Sequence, residues 1–152
     1  ASNSYRLQSW KKAATLLDAF LEKYKAGPDK SYIPLALMDR ANTHYAEDQL
    51  DETIAKIDLL VKDFGDSESA LQALNLKGNV HEAKGEIEEA IAAYQLSLEK
   101  AEARANGEVA GESLYYLAAL LSGDKPDEDP STRFPKAVGY ADKYWEKYST
   151  GS

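Results

Sequence analysis

Residues 36–61 and 73–98 are two copies of one pattern. A shift of 37 superposes Ala36 on Ala73, Leu37 on Leu74, Asn42 on Asn79, His44 on His81 and Ala46 on Ala83. It also superposes Glu52 on Glu89, Ile54 on Ile91, Ala55 on Ala92 and Leu59 on Leu96, with Arg40 over Lys77 and Leu50 over Ile87 between them. An internal period of this length constrains the fold more than any composition does. One unit cannot bury its own apolar face, so units must stack, and the expected product is a helical solenoid.

Each copy splits into two helical patterns about a short polar break. In the second copy Leu74, Gly78 and His81 fall at helical spacing, the segment KGE interrupts, and Ile87, Ala90, Ile91, Tyr94 and Leu98 form the next stripe. Gly85 suits the left-handed residue that ends a helix, and Asp48 stands in its place in the first copy. The acidic run after Gly85 complements the N-terminal dipole of the helix it opens.

The pattern continues outward less regularly. Residues 10–24 place Trp10, Ala13, Leu17, Phe20, Leu21 and Tyr24 on one face, like the second helix of a hairpin. Residues 112–122 and 136–148 read as two further helices, separated by GDKPDEDPSTRFP, which is too rich in Pro and Asp to be helical. The organisation expected over residues 1–152 is therefore a single domain. It comprises a half-repeat at 5–25, repeats at 32–64 and 67–104, and a divergent repeat at 109–148 with a loop at 123–135, roughly seven helices in all.

Leu74, Gly78, His81, Gly85, Ala90, Tyr94 and Ser97 together resemble the tetratricopeptide repeat. That family places a large residue, Gly or Ala four later, an aromatic three beyond, then Ala and an aromatic in the second helix. The resemblance covers residues 71–104 well, 34–65 fairly and the ends in part. The period of 37 exceeds the family's ~34, and Lys77 and Arg40 stand where an aliphatic is usual. Those basic heads are expected in water with their stems packed. The longer repeats resemble the bacterial cell-envelope members of the family, which leaves a periplasmic or a cytoplasmic location open.

The resemblance implies an all-α, right-handed superhelical array of antiparallel hairpins whose first helices line a concave groove. Carried over from the family's groove positions, the partner-binding residues are Met38, Asn42, Tyr45, Asn75, Asn79, Glu82 and Tyr115. An Asn side chain offers both a donor and an acceptor, so Asn42 and Asn79 can bracket a peptide unit of an extended partner. Members that clamp a chaperone's carboxylate tail use basic residues at positions where this chain has Met38, Glu112 and Tyr116; only Asn42 fits, and Glu112 would repel a carboxylate.

Composition removes other classes. A formal net charge of −8 with no basic stripe argues against a nucleic-acid surface. The absence of cysteine excludes thiolate metal sites, cysteine nucleophiles and disulfides. No apolar run approaches a membrane span, and nothing resembles a signal peptide. The two histidines, His44 and His81, lack a second ligand one turn away, and packing inside the hairpins is their expected role. No nucleophile has a base beside it, the paired carboxylates fall on faces expected to be exposed, and no phosphate-cradling glycine loop is present. The expectation is a protein-interaction module binding a protein or peptide segment, without a metal, cofactor or catalytic residues. The alternative is an assembly protein that self-associates through terminal aromatic helices, including Tyr140, Tyr144, Trp145 and Tyr148.

Overall fold

The computed structural model describes residues 2–123, 138–143 and 146. Among them every regular element is helical: α1 (Ser2–Tyr24), α2 (Ile33–Ala46), α3 (Leu50–Phe64), α4 (Glu68–Ala83), α5 (Ile87–Ala103) and α6 (Gly107–Ser122). Residues 138–143 add a further helical stretch. All but the first residue of the acidic Pro-rich loop expected at 123–135, and the aromatic side chains of Tyr144, Trp145 and Tyr148, lie outside the described residues.

Short turns with one shared chemistry set the helix order. Asp48, Gly85 and Ala105 all have left-handed φ, at 59°, 76° and 54°. Beyond each, a backbone N–H reaches back five residues: Gln49 to His44 at 2.9 Å, Glu86 to His81 at 2.8 Å and Asn106 to Ala101 at 2.8 Å. This is the closure that satisfies the last carbonyls of a helix through a left-handed residue. Asp48 and Gly85 are separated by the sequence shift of 37, so the repeat is also a repeat of turn geometry. Ala105 supplies a third such turn, with a residue that favours this conformation far less than glycine. At the following helix starts, the Ser67 and Asn106 side chains accept from the Ala70 and Val109 N–H groups.

Each helix packs on its sequence neighbours. In addition α2 touches α4 and α4 touches α6, whereas α1, α3 and α5 do not approach one another. The inner set α2, α4, α6 is thus continuous and the outer set is splayed. α4 is buried on two sides, because Ala70, Ala73, Leu76 and Val80 join a core with Ile33, Leu37, Ala41, Ile57 and Leu60. Its Leu71 joins a second core with Ala90, Tyr94, Leu98, Val109, Leu114 and Leu117. The dense run of buried positions in α4 between Ala70 and Val80 follows from serving both cores.

The basic heads expected in water are instead tied to the outer helices. Arg40 on α2 pairs with Asp18 on α1, and Lys77 on α4 pairs with Asp58 on α3, each at 2.8 Å. Arg40 is only 12% exposed in its side chain, so the pair holds a largely buried guanidinium in place by a charge-assisted bond. In both repeats the ion pair staples an inner helix to the outer helix that precedes it.

Candidate functional site

The centre of the inner face is built around a residue of an outer helix. Tyr94 on α5 is fully buried, yet its hydroxyl donates to Asn79 Oδ1 at 2.5 Å and lies 3.2 Å from Glu82 Oε2, both on α4. Gly78 makes this possible, since a Cβ there would overlap the Tyr94 ring. The glycine opens a notch in α4 through which the ring crosses from the outer layer to the inner face. On the far side Tyr94 stacks on Tyr116 of α6 at 5.2 Å between centroids, and Tyr115 meets Tyr116 edge-on at 5.9 Å.

Burial pushes the Tyr94 phenol well above its ordinary range, and the Glu82 carboxylate, Tyr116 and Tyr45 raise it further. Residues of α4, α5 and α6 come together in one patch: Asn79, Glu82, Tyr94, Tyr116 and Tyr115.

Of the residues expected to line the groove, Tyr45, Glu82 and Tyr115 are exposed and Asn42 and Asn79 are partly so. Asn79 is not free to bracket a peptide unit, because its carbonyl oxygen already accepts from Tyr94. Asn42 makes no side-chain hydrogen bond among the described residues, so it retains both. Met38 is half-buried against the core that contains α4.

Asn75 is placed inside. It is 3% exposed, and its Oδ1 accepts from Ser113 Oγ at 2.9 Å, within a small polar network that includes Ser97. Its Nδ2 has no hydrogen-bond partner among the described residues. Asn75 aligns with Met38 under the shift of 37; Met38 packs against the core that α2, α3 and α4 share, and Ser113 of α6 covers Asn75. Tyr94 and Tyr116 were not among the residues expected at the site. The signal for Tyr94 was its hydroxyl, because a buried tyrosine needs a polar partner that a phenylalanine does not.

Both histidines sit at the C-terminal ends of inner helices. His44 Nδ1 contacts Gln49 Oε1 at 2.7 Å, and His81 Nδ1 contacts Glu86 Oε1 at 3.1 Å, a second contact that repeats with the shift of 37. Their role is to tie each inner helix to the start of the next outer one. The Glu86 carboxyl is held below its usual range, first by the His81 hydrogen bond and then by Lys84. Lys84 also pairs with Asp51 at 2.7 Å, lowering that carboxyl and raising its own value.

A concavity lies where α1 and α3 splay apart. This cleft of about 880 Å3 has Leu21, Ile33, Leu37, Leu59 and Phe64 among its walls, with charged residues around them. No group of three or more potential metal-ligating His, Asp or Glu side chains occurs among the described residues, and no described helix is long and apolar enough to cross a membrane. Comparison with protein-family models, curated proteins and solved structures returned no match.

Proposed function

We propose that the chain is a tetratricopeptide-like solenoid that works as a protein-interaction module, holding an extended segment of a partner across the face of α2, α4 and α6. What carries this reading is the convergence of α4, α5 and α6 on one patch of exposed and half-exposed tyrosine and amide groups, with Tyr94 reaching it through Gly78. Tyrosines supply contact area at low entropic cost, and they are enriched where binding energy concentrates. Asn42 adds a donor and an acceptor for the partner's backbone. The continuous inner layer and the open outer layer agree with a stacked array. In this reading the chain binds and does not catalyse.

The test is a pull-down with wild type, Tyr45→Ala and Asn42→Ala, each first shown to melt as a folded protein. Capture of the same partner by all three with equal yield would remove the face from consideration.

A specific observation also favours a second reading, assembly through α1. Aligned on Asp18 and Asp58, residues Ala13, Leu17 and Phe20 of α1 correspond to Thr53, Ile57 and Leu60 of α3. The α3 residues are fully buried and those of α1 only partly, and Leu16 nearby is 71% exposed. Residues 1–25 carry five basic and two acidic side chains, whereas the rest of this acidic chain carries 13 and 24. A second copy would bring a complementary charge to that surface. Sedimentation velocity separates the readings, because assembly requires a concentration-dependent species that Leu16→Glu abolishes.

A further inference from the structure

The inner face sorts its charges. On α2 and α4 the lysine and arginine residues are Arg40 and Lys77, and both are drawn to the outer helices by Asp18 and Asp58. α6 carries no basic residue at all. The exposed acidic side chains of these helices, Glu82 and Glu112 among them, remain, and the Tyr94 ring, whose hydroxyl lies 3.2 Å from Glu82 Oε2, leads through the stacked Tyr116 to Tyr115. The face therefore offers a carboxylate and aromatic rings, with the cations of its own helices engaged elsewhere.

We infer that this patch is a recognition site for a guanidinium group: the partner segment carries an arginine that forks to Glu82 while its plane lies against a tyrosine ring. The inference rests on the interaction-module reading and names the partner's chemistry. Arginine is favoured over lysine because a planar, weakly hydrated guanidinium can stack on a ring and pair with a carboxylate at once. Glu82 is prepared for this. Its Oε2 faces the Tyr94 hydroxyl, and Oε1 makes no hydrogen bond among the described residues. The single Tyr94 proton goes to Asn79 at the shorter distance, so the Glu82 carboxylate keeps its acceptors for a partner.

The test screens an array of random acetylated peptides and remeasures the strongest binders by calorimetry, with each arginine exchanged in turn for citrulline, which has the same shape and no charge. Binders enriched in arginine are expected, with one exchange weakening affinity by about tenfold or more. Glu82→Gln should weaken the arginine peptide by a similar factor and leave its citrulline analogue unmoved, because glutamine keeps an acceptor for Tyr94. Binders that tolerate every exchange, and still lose affinity in Tyr45→Ala, would overturn the guanidinium site while sparing the groove. Binders indifferent to both Glu82→Gln and Tyr45→Ala, or an array with no binders, would overturn the groove reading and this inference with it.

Discussion

Tyr94 makes the stability of this protein depend on alkaline pH in a way that one substitution isolates. The unfolded chain releases the phenolic proton near pH 10, the ordinary tyrosine value, while the buried ring next to Glu82 retains it. Above that pH the unfolded state binds fewer protons than the folded state, so stability falls as pH rises; the contribution is whole below about pH 10. For a folded-state value beyond the experimental range, the loss is about 1.4 kcal/mol at about pH 11 and about 2.7 kcal/mol at about pH 12. Tyr94→Phe has no such term, but at neutral pH it forfeits the hydroxyl's bond to Asn79 and its contact with Glu82, a cost of about 1.5 kcal/mol. The two proteins should therefore differ by about 1.5 kcal/mol at about pH 8, become equal near pH 11 and exchange order above it. Urea unfolding followed by circular dichroism across this range measures the gap, and the comparison cancels other alkaline effects such as loss of the Lys84 pair. A gap that stays constant from about pH 8 to about pH 11 would refute the reasoning, because it would mean that Tyr94 ionises as freely in the folded protein as in the unfolded chain.

Gly78→Ala should cost about 1–3 kcal/mol in thermal unfolding through overlap with the Tyr94 ring, and the cost should shrink when combined with Tyr94→Ala. Ala105→Gly should raise the free energy of unfolding by about 0.5–1 kcal/mol, because the left-handed φ at that turn strains alanine, whereas Gly85→Ala should lower it by a similar amount. Asn79→Ala should lose about 1 kcal/mol of stability and Asn42→Ala almost none, since only Asn79 holds a buried hydroxyl. Asp51 and Glu86 have lowered carboxyl values, so their pairing with Lys84 is present above the ordinary carboxylate range and lost as pH falls through the lowered values. An acid titration of stability should therefore be shallower in Lys84→Met.

The helical architecture was legible because it rests on local chemistry that the sequence states twice. The shift of 37 carried the paired turns at Asp48 and Gly85, the histidine contacts to Gln49 and Glu86, and the stripes of α2 to α5. What was not legible depended on which helix arrives next. Met38 and Asn75 share a register position and Tyr115 has an analogous one, yet α4 shelters the first, α6 buries the second and the third stands exposed. A register rule for groove residues assigns all three the same surroundings, and only the packed neighbours distinguish them. Arg40 and Lys77 were misjudged for the same reason, because their aspartate partners lie on the preceding outer helix, 22 and 19 residues away in sequence. Ala105 hid the third turn, since alanine gives no sign of a left-handed conformation.

The asparagines two places before the histidines show how the two kinds of information combine. From sequence Asn42 and Asn79 are one feature, repeated with its neighbours. In the folded chain they have separate duties, because the first repeat has Ile57 where the second has Tyr94. Ile57 offers no hydroxyl, so Asn42 makes no side-chain hydrogen bond among the described residues, while the Asn79 carbonyl oxygen accepts from Tyr94. The uncommitted amide and the amide that holds a buried hydroxyl are thus the same residue type in the same register. What separates them is a single outer-helix position, and Ile57→Tyr would require Ala41 to become glycine before it could copy the arrangement.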